Sequence, residues 1–499
     1  MPASPDEVAA LGAQARRWAR THLDAAELEA RGEIPRSVFE VLAELGLFAL
    51  TIPEAHGGGS LGLVGACPLV EELARHDRSV ATTVGLHAGL GTQAIVRGAS
   101  PDVASAWLPR LATGASIGAF AATEAGAGSD LMSIRTALVD DGAELRLDGE
   151  KSYVTNAHYA GCITVLARRG ERAHSLVLVP CSTPGVSIGA EEEKLGLRAS
   201  STATIRFDGV RVPRDHVLGV DGAGLDLAYA VLGWGRTLMS AGCVGTMAAA
   251  LDATIAHVTT RRQFRRPLAA FPAVQSAVAE MAVMLDASRA LVRRTSSALD
   301  AGRVAEAASF ATKVFASERA FRACDAAIQL HGALGVIEPV GVARLLRDCR
   351  VTRIFEGAND VLLVRLASLR LASGEPLERV SADATPLVDA AGACDRMADA
   401  IDAATVDVRR RLGLTAISHQ TTLGALARAE MAHHAAVAIV LDPPRDRERL
   451  ALALRLLERD AAAALATLGP ADAIAAQERR VCARLCRTED APMLAEESS

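Results

Sequence analysis

The stretch VTRIFEGAND, residues 351 to 360, sets one acid, Glu356, between Phe355 and Gly357. A carboxylate there is either a solvated loop charge or a base held against apolar surface, where lost hydration raises its pKa toward working pH. Gly357 lets a ligand approach the backbone, and the Glu356 N–H is a candidate donor to a developing oxyanion. Further upstream, FAATEAGAGSD (Phe120 to Asp130) offers Gly126 and Gly128 with the hydroxyls of Thr123 and Ser129. Successive N–H groups in such a loop can cradle a phosphate or the polar edge of a ring, and a plain turn with a cap explains the same residues equally well. No Gly-Lys-Ser or Gly-Lys-Thr follows, so it is not a Walker loop. A third group, TTRRQF, carries Arg261, whose guanidinium is either a planar forked donor that stays charged or a solvated charge at a helix end.

Three kinds of segment must hold these residues. Up to about residue 118 the apolar residues recur at helical spacing, as in PRSVFEVLAELGLFAL and ATTVGLHAGLGTQAIV. From 119 to 223 short β-favouring runs such as ITVLARRG, HSLVLVP and TATIRFDGVRVP alternate with Gly, Asp and Pro, which predicts a small barrel or sandwich. Long helical periods return over 224–372, enough for a bundle of four helices, and after a polar, Pro-containing linker an Ala-rich helical extension runs over 373–499. The predicted fold is therefore mainly α with a β middle domain, in four units: 1–118, 119–223, 224–372 and 373–499.

The chain has 499 residues, half of them hydrophobic and 3% aromatic, with a formal net charge of −6. No long basic run supports nucleic-acid binding, and no leader or uninterrupted apolar run of membrane-spanning length is expected to take the chain out of the cytoplasm. Nine cysteines, with no C-x-x-C pair, suggest a reducing compartment. Cys482 and Cys486 stand four apart on an expected helix and are read as packing residues, with no metal site expected.

Six motifs occur in order: FAATEAGAGSDLMSIRTA, LDGEKSYVTN, EKLGLRASSTATIRFDGVRVPRDHVLG, TTRRQFRRPLAAFPAVQ, IQLHGALG and RLLRDCRVTRIFEGAND. Together with LGLFALTIPEAHGGGSLG upstream, they resemble the acyl-CoA dehydrogenase family over roughly residues 10 to 372, most closely its very-long-chain branch. The resemblance implies a helical N-terminal domain, a β-barrel and a four-helix bundle, with FAD as cofactor. It implies cofactor contacts at Thr123, Gly128, Ser129, Tyr153, Thr155, Arg261, Gln263, Phe264, Gln329 and Gly332, some serving a neighbouring subunit of a homodimer or homotetramer. Substrate contacts fall at Ser129, Arg236 and Gly357, and Glu356 falls where most of the family carries the base that removes the α-proton of the thioester. Some relatives keep that base before an Arg on the first bundle helix; here that place is Gly235.

The expected reaction is α,β-dehydrogenation of a medium-to-long acyl-CoA to the trans-2-enoyl-CoA, with an electron-transfer flavoprotein as acceptor. An oxidase using oxygen and a flavoprotein that binds nucleic acid are the alternatives. Gly85, Gly89 and Gly91 lie on or near the helix that the resemblance places at the distal end of the acyl site, where they either leave room for the expected long chain or are helix-weakening glycines with a packing role. Four departures from the family pattern stand out: Tyr153 for Trp, Arg265 and Ala333 for Gly, and Ala358 for a hydroxyl residue. Asn359 is expected to cap the next helix, and the extension is expected to pack between subunits.

Overall fold

The computed structural model describes residues 5–381 and 388–468. The pair Cys482 and Cys486, and the acidic end of the chain, lie outside the described residues. Seven helices come first: α1 (Pro5–His22), α2 (Ala25–Arg31), α3 (Arg36–Glu44), α4 (Gly62–His76), α5 (Arg78–Leu86), α6 (Thr92–Gly98) and α7 (Pro101–Ala112). Local sequence sets their ends. The Asp24 carboxylate accepts from the Ala26 and Glu27 N–H groups, Asp77 does the same for Val80, and α7 starts on the pair Ser100–Pro101. Between α5 and α6, His87–Gly91 form one π-helical turn. The His87 ring is fixed there by the Phe48 carbonyl at 3.1 Å and the Gly118 N–H at 3.0 Å, and burial pulls its pKa down to about 4.

Eight strands follow: β1 (Ile117–Ala121), β2 (Ala137–Asp141), β3 (Glu144–Thr155), β4 (Ala160–Arg169), β5 (Ala173–Pro180), β6 (Val186–Glu191), β7 (Thr202–Val212) and β8 (Val217–Leu218). They form one sheet in the order β6-β7-β3-β2-β4-β5-β8, with β1 parallel on β4. One face closes around its own core of Leu138, Leu147, Val165, Val177, Ile205 and Val212, which makes the unit barrel-like. The opposite face of β4 and β5, through Cys162, Leu166, Leu176 and Leu178, packs with Trp107 and Leu108 of α7. Strand structure begins at Ile117, slightly before the boundary expected from composition.

The bundle consists of α8 (Gly224–Thr260), α9 (Pro272–Asp300) and α10 (Glu306–His331), then a short α11 (Val342–Arg350) and α12 (Asn359–Ser373). A two-residue hairpin pair, β9 (Arg262–Gln263) and β10 (Arg266–Pro267), joins α8 to α9. By length and hydropathy α8 is apolar enough to cross a bilayer, yet 78% of its apolar window is buried within the chain, as befits the central helix of a bundle.

The extension adds α13 (Val388–Leu412), α14 (Gln420–Leu441) and α15 (Arg447–Ala466). Within the chain, α14 is buried against α9, α10 and α12. Ion pairs from Arg319 to Asp460 (2.5 Å) and from Arg449 to Asp286 (2.6 Å) fasten α15 to the same bundle.

Candidate active site

Glu356 sits on a chain reversal between α11 and α12. One 3-10 turn, Val351–Arg353, ends α11, and then Glu356 (φ 55°) and Gly357 (φ 102°) take the left-handed region in succession. For a residue with a Cβ that conformation costs roughly 1–2 kcal/mol, and buried donors oppose the cost. Arg236 Nε on α8 donates to the Glu356 carbonyl at 2.9 Å. Lys313 Nζ on α10 donates to the Gly357 carbonyl at 2.7 Å and to Asn359 Oδ1 at 2.8 Å. Asn359 Nδ2 reaches Ser317 Oγ at 3.0 Å and Glu318 Oε1 at 2.8 Å, and Arg353 Nε holds the same Glu318 oxygen at 2.8 Å.

Asn359 therefore does not cap the helix, contrary to expectation. The N-cap is Ala358, which has no side-chain hydrogen bond to offer, and the Asn359 amide is drawn inward to Lys313. The hydroxyl lost at Ala358 is a lost cap.

The carboxylate itself is held without a partner. Glu356 Oε2 is buried and makes no hydrogen bond, and the Glu356 N–H has no acceptor among the described residues. Burial pushes the carboxyl up to about 7, against the pull of Arg236, Lys313 and Arg78, which favour its charged form. Burial likewise brings Arg236 down to about 10 and Lys313 down to about 7. The carboxylate is thus buried among cations and apolar side chains and is not a solvated loop charge.

Beside Glu356 lies a cavity of ≈ 20 Å³, room for about one water, lined by Val70, Arg78, Ala81, Thr82, Gly85 and Leu86 from α4 and α5, by Gly235, Leu238 and Met239 from α8, and by Phe355. Gly235 has no space for an alternative base. A Cβ there would lie 2.7 Å from Leu90 and 3.1 Å from Glu356 Oε2. The three glycines read as room for a long chain or as packing residues divide. Gly85 lines the cavity, whereas a Cβ on Gly89 would meet Leu238 at 3.0 Å and one on Gly91 would meet the Gly118 carbonyl at 2.6 Å. The last two let the π turn touch α8 and β1, which is the packing role, and of the three Gly85 alone lines the cavity.

Arg236, expected at the substrate, is 5% exposed, stands behind the Glu356 backbone with its guanidinium 5.0 Å from the Phe310 ring centre, and does not line the cavity. Gly357 does not line it either, and its Cα faces Leu362, which a Cβ would meet at 3.0 Å.

The residues expected at the cofactor fall into two groups. In the first, Glu124 and Ala127 exchange backbone hydrogen bonds to make a tight turn, leaving Gly126 with open space around it and Gly128 and Ser129 exposed. This turn is stitched to β3: the Ser152 N–H donates to the Thr123 carbonyl at 2.9 Å, and Lys151 Nζ bridges the Ala122 carbonyl at 2.9 Å and Glu124 Oε1 at 2.8 Å. The pairing of β3 with β7 shifts register between Lys151 and Val154, and the bulge turns Tyr153 outward (φ 57°, 65% exposed) while Thr155 is half-buried.

The second group sits at the far ends of α8 and α10. Arg261, Gln263 and Phe264 are exposed on the β9–β10 hairpin, and Gln329 and Gly332 are exposed where α10 ends. A stacked pair, His257 and His331 with ring centres 4.3 Å apart, ties the two helix ends together. Gly332 (φ 61°, ψ −138°) has a conformation that a Cβ resists, whereas Ala333 beside it has no such need. From Gly235 to Arg261 the rise of α8 is about 39 Å, longer than an extended dinucleotide, so one chain does not bring this group to its own Glu356.

Three residues that hold the site were missed. Lys313 lies on the inward stripe of α10 with Phe310, Val314 and Ser317, a charge at an apolar position that helical spacing alone flags. Lys151 is buried at the β3 bulge, and Arg78 is buried at the start of α5. For Lys151 a bulge had to be known first.

Family models match the chain along most of its length: the acyl-CoA dehydrogenase N-terminal domain over residues 5–115, the middle domain over 119–210 and the C-terminal domain over 222–369. A probable acyl-CoA dehydrogenase of Bacillus subtilis, YngJ, is 34% identical over 68% of this chain and 90% of its own length. The human mitochondrial very long-chain specific acyl-CoA dehydrogenase is 34% identical over 69% of this chain, which spans about half (54%) of that relative. Among solved structures, an acyl-CoA dehydrogenase complexed with FAD from Bacillus anthracis superposes with a TM-score of 0.85 at 25% identity, covering 93% of this chain and 88% of that one. The butyryl-CoA dehydrogenase of Megasphaera elsdenii gives 0.72 at 27% identity over 74% of this chain and 99% of its own. Coverage of 93% is out of reach without α13–α15, so the Bacillus anthracis structure shares the extension and the shorter enzyme does not.

Proposed function

The chain belongs to the acyl-CoA dehydrogenase family, and from that membership we propose that it dehydrogenates a medium-to-long acyl-CoA with Glu356 as its base. One observation carries the assignment: a carboxylate with a buried, unpartnered oxygen, its pKa brought to about 7, facing a cavity walled by Leu238 and Phe355. A base poised near the working pH removes a carbon-bound proton most effectively. As the thioester's Cα–H bond breaks toward Glu356, the charge that grows on the carbonyl oxygen meets the unpaired Glu356 N–H, and the Cα–Cβ double bond forms. The acceptor for the hydride that leaves Cβ would be supplied by bound FAD.

The exposed groups fit that cofactor. Tyr153 offers a ring face, the turn at Gly126 and Gly128 offers open backbone, and Arg261 carries a guanidinium with no ion pair among the described residues. Because Arg261, Gln263, Phe264, Gln329 and Gly332 lie so far along α8 from Glu356, they would hold the cofactor of a second subunit, which makes a homodimer or homotetramer part of the proposal. Arg236 and Lys313 position Glu356. Gly85 and the small side chains Ala81 and Thr82 support a preference for longer acyl chains. An electron-transfer flavoprotein is the proposed acceptor, and the cytoplasm is the proposed compartment, in keeping with seven free cysteines among the described residues.

The test is anaerobic mixing of the flavin-loaded protein with acyl-CoAs of increasing length, followed by admission of air. Flavin bleaching that strengthens beyond butyryl-CoA, with slow recovery in air, is expected. No bleaching at any length overturns the dehydrogenase reading, a maximum at butyryl-CoA overturns the chain-length reading, and fast recovery identifies an oxidase.

A further inference from the structure

Arg78 opens α5 directly after the capping Asp77, yet it is 3% exposed. Its Nη2 donates to the Met239 carbonyl at 3.1 Å and approaches Cys243 Sγ at 3.9 Å, while its Nε is buried with no hydrogen bond. No carboxylate pairs with it among the described residues. The guanidinium lies directly on Gly242, where a Cβ would fall 1.4 Å from Nη1, so α8 is built to admit it. It lines the same cavity as Glu356. A buried cation without an ion pair at contact distance is costly, and a ligand carboxylate would supply the missing charge.

The two charged groups line the same small cavity, whose ≈ 20 Å³ must widen to take a chain. Gly235 backs onto Glu356 and Gly242 backs onto Arg78, two helical turns apart on α8, a rise of about 10 Å. An extended chain advances ~1.2 Å per bond, so about eight bonds separate the base from the guanidinium. Between them stand Leu238 and Met239, and an unbranched thioether side chain such as Met239 readily shifts to admit a chain.

We propose that Arg78 terminates the acyl site and that the substrate carries a second carboxylate there, as an ω-carboxyacyl-CoA with a chain of roughly eight to ten carbons. The guanidinium receives that carboxylate as a forked donor, with Nε as one tine, and the intervening methylenes lie along Leu238 and Met239. The inference rests on the proposed function for the position of the thioester, and it extends that reading to the far end of the chain.

Binding is compared by calorimetry in flavin-loaded Glu356→Gln protein, where turnover does not intervene. Suberyl-CoA is set against octanoyl-CoA and sebacyl-CoA against decanoyl-CoA, so each pair differs only at the chain terminus. The ω-carboxylates are expected to bind at least tenfold more tightly, and adding Arg78→Met is expected to reverse the order. Equal or weaker binding of the ω-carboxylates overturns the proposal, as does a preference that survives Arg78→Met. Should the Arg78→Met protein fail to fold, the ratio measured with Arg78 in place decides alone. Failure of every thioester to bleach the flavin of the wild-type protein removes the dehydrogenase reading instead, and the binding ratio still decides the role of Arg78.

Discussion

The wall around Glu356 and the β9–β10 hairpin are built on opposite plans. Around Glu356 the carbonyls of residues 356 and 357 are held by buried cations, Arg236 and Lys313, and a further carboxylate, Glu318, gathers Arg353 and Asn359 behind them. At the hairpin, Arg261 to Arg266 are exposed, and Phe264 shows 86% of its surface. The first region is complete within one chain, so its geometry exists before any ligand arrives. The second is a set of exposed donors and one exposed ring, which in the proposed function serve the cofactor of a second subunit. A reaction that needs a positioned base benefits from the former arrangement, because preorganised groups need no reordering at the moment of proton transfer.

Glu356→Gln gives the sharpest break between the two regions. Loss of a general base lowers turnover by roughly 10²–10⁴-fold, and the distant hairpin predicts an unchanged flavin content. Flavin absorbance together with anaerobic bleaching measures both, and a variant that turns over normally ends the assignment.

Lys313→Met tests whether the wall positions the carboxylate. The Gly357 carbonyl and Asn359 Oδ1 would each lose a buried donor, at about 1–3 kcal/mol per unsatisfied group, so a markedly lower thermal midpoint and a smaller loss of rate than in Glu356→Gln are expected. The diagnostic readout is the pH profile. In the wild type the rate rises as Glu356 ionises near pH 7, and removing a cation that favours the charged form moves that limb to higher pH. Stability runs the other way. The raised pKa means that the folded chain holds the Glu356 proton more tightly than the unfolded chain, so this contribution is full below the ordinary value of 4.5 and lost as pH rises through about 7. A pH limb that stays in place would leave Lys313 a structural residue only.

The contrast also explains what was legible in the sequence. Helical and strand periods located the helices on either side of the sheet, and the motif around Glu356 could be found because a lone acid between a ring and a glycine is a local pattern. The supports were harder to see, since Lys313 meets Gly357 across 44 positions of sequence and Arg236 meets Glu356 across 120. The role of the π-turn glycines stayed open for the same reason: sequence shows an absent side chain but not the Gly118 backbone that fills the space beside Gly91. Asn359 looked like a cap because caps are local, and the buried Lys313 amine outcompeted the helix end for its amide.

Phe264→Ala probes the hairpin. The exposed ring forms a T-shaped pair with Phe271, with centres 6.1 Å apart, so its loss should leave stability nearly unchanged. If the ring packs on a cofactor held by a second subunit, flavin affinity falls by about 1 kcal/mol, roughly fivefold, with turnover per bound flavin unaltered. Unchanged flavin retention in that variant would detach the hairpin from the cofactor.

Arg265→Gly gives the smallest effect and separates two costs at one residue. Arg265 has φ 67° at the hairpin tip, next to Phe264 at 49°, and relieving one such residue with glycine gains about 1 kcal/mol. The hydrogen bond from Arg262 Nη2 to the Arg265 carbonyl, 2.8 Å, involves only backbone at position 265 and survives the change. The flavin-free protein should therefore melt slightly higher. If the guanidinium also meets the cofactor's phosphates, the flavin-loaded protein should gain less, because the lost charge weakens binding and with it the stabilisation that a bound ligand confers. Equal gains with and without flavin would show that Arg265 is strained for no benefit to the cofactor. A smaller gain in the loaded protein would mean that the hairpin tolerates a strained backbone in order to place a charge, as the wall around Glu356 tolerates one at the proposed base.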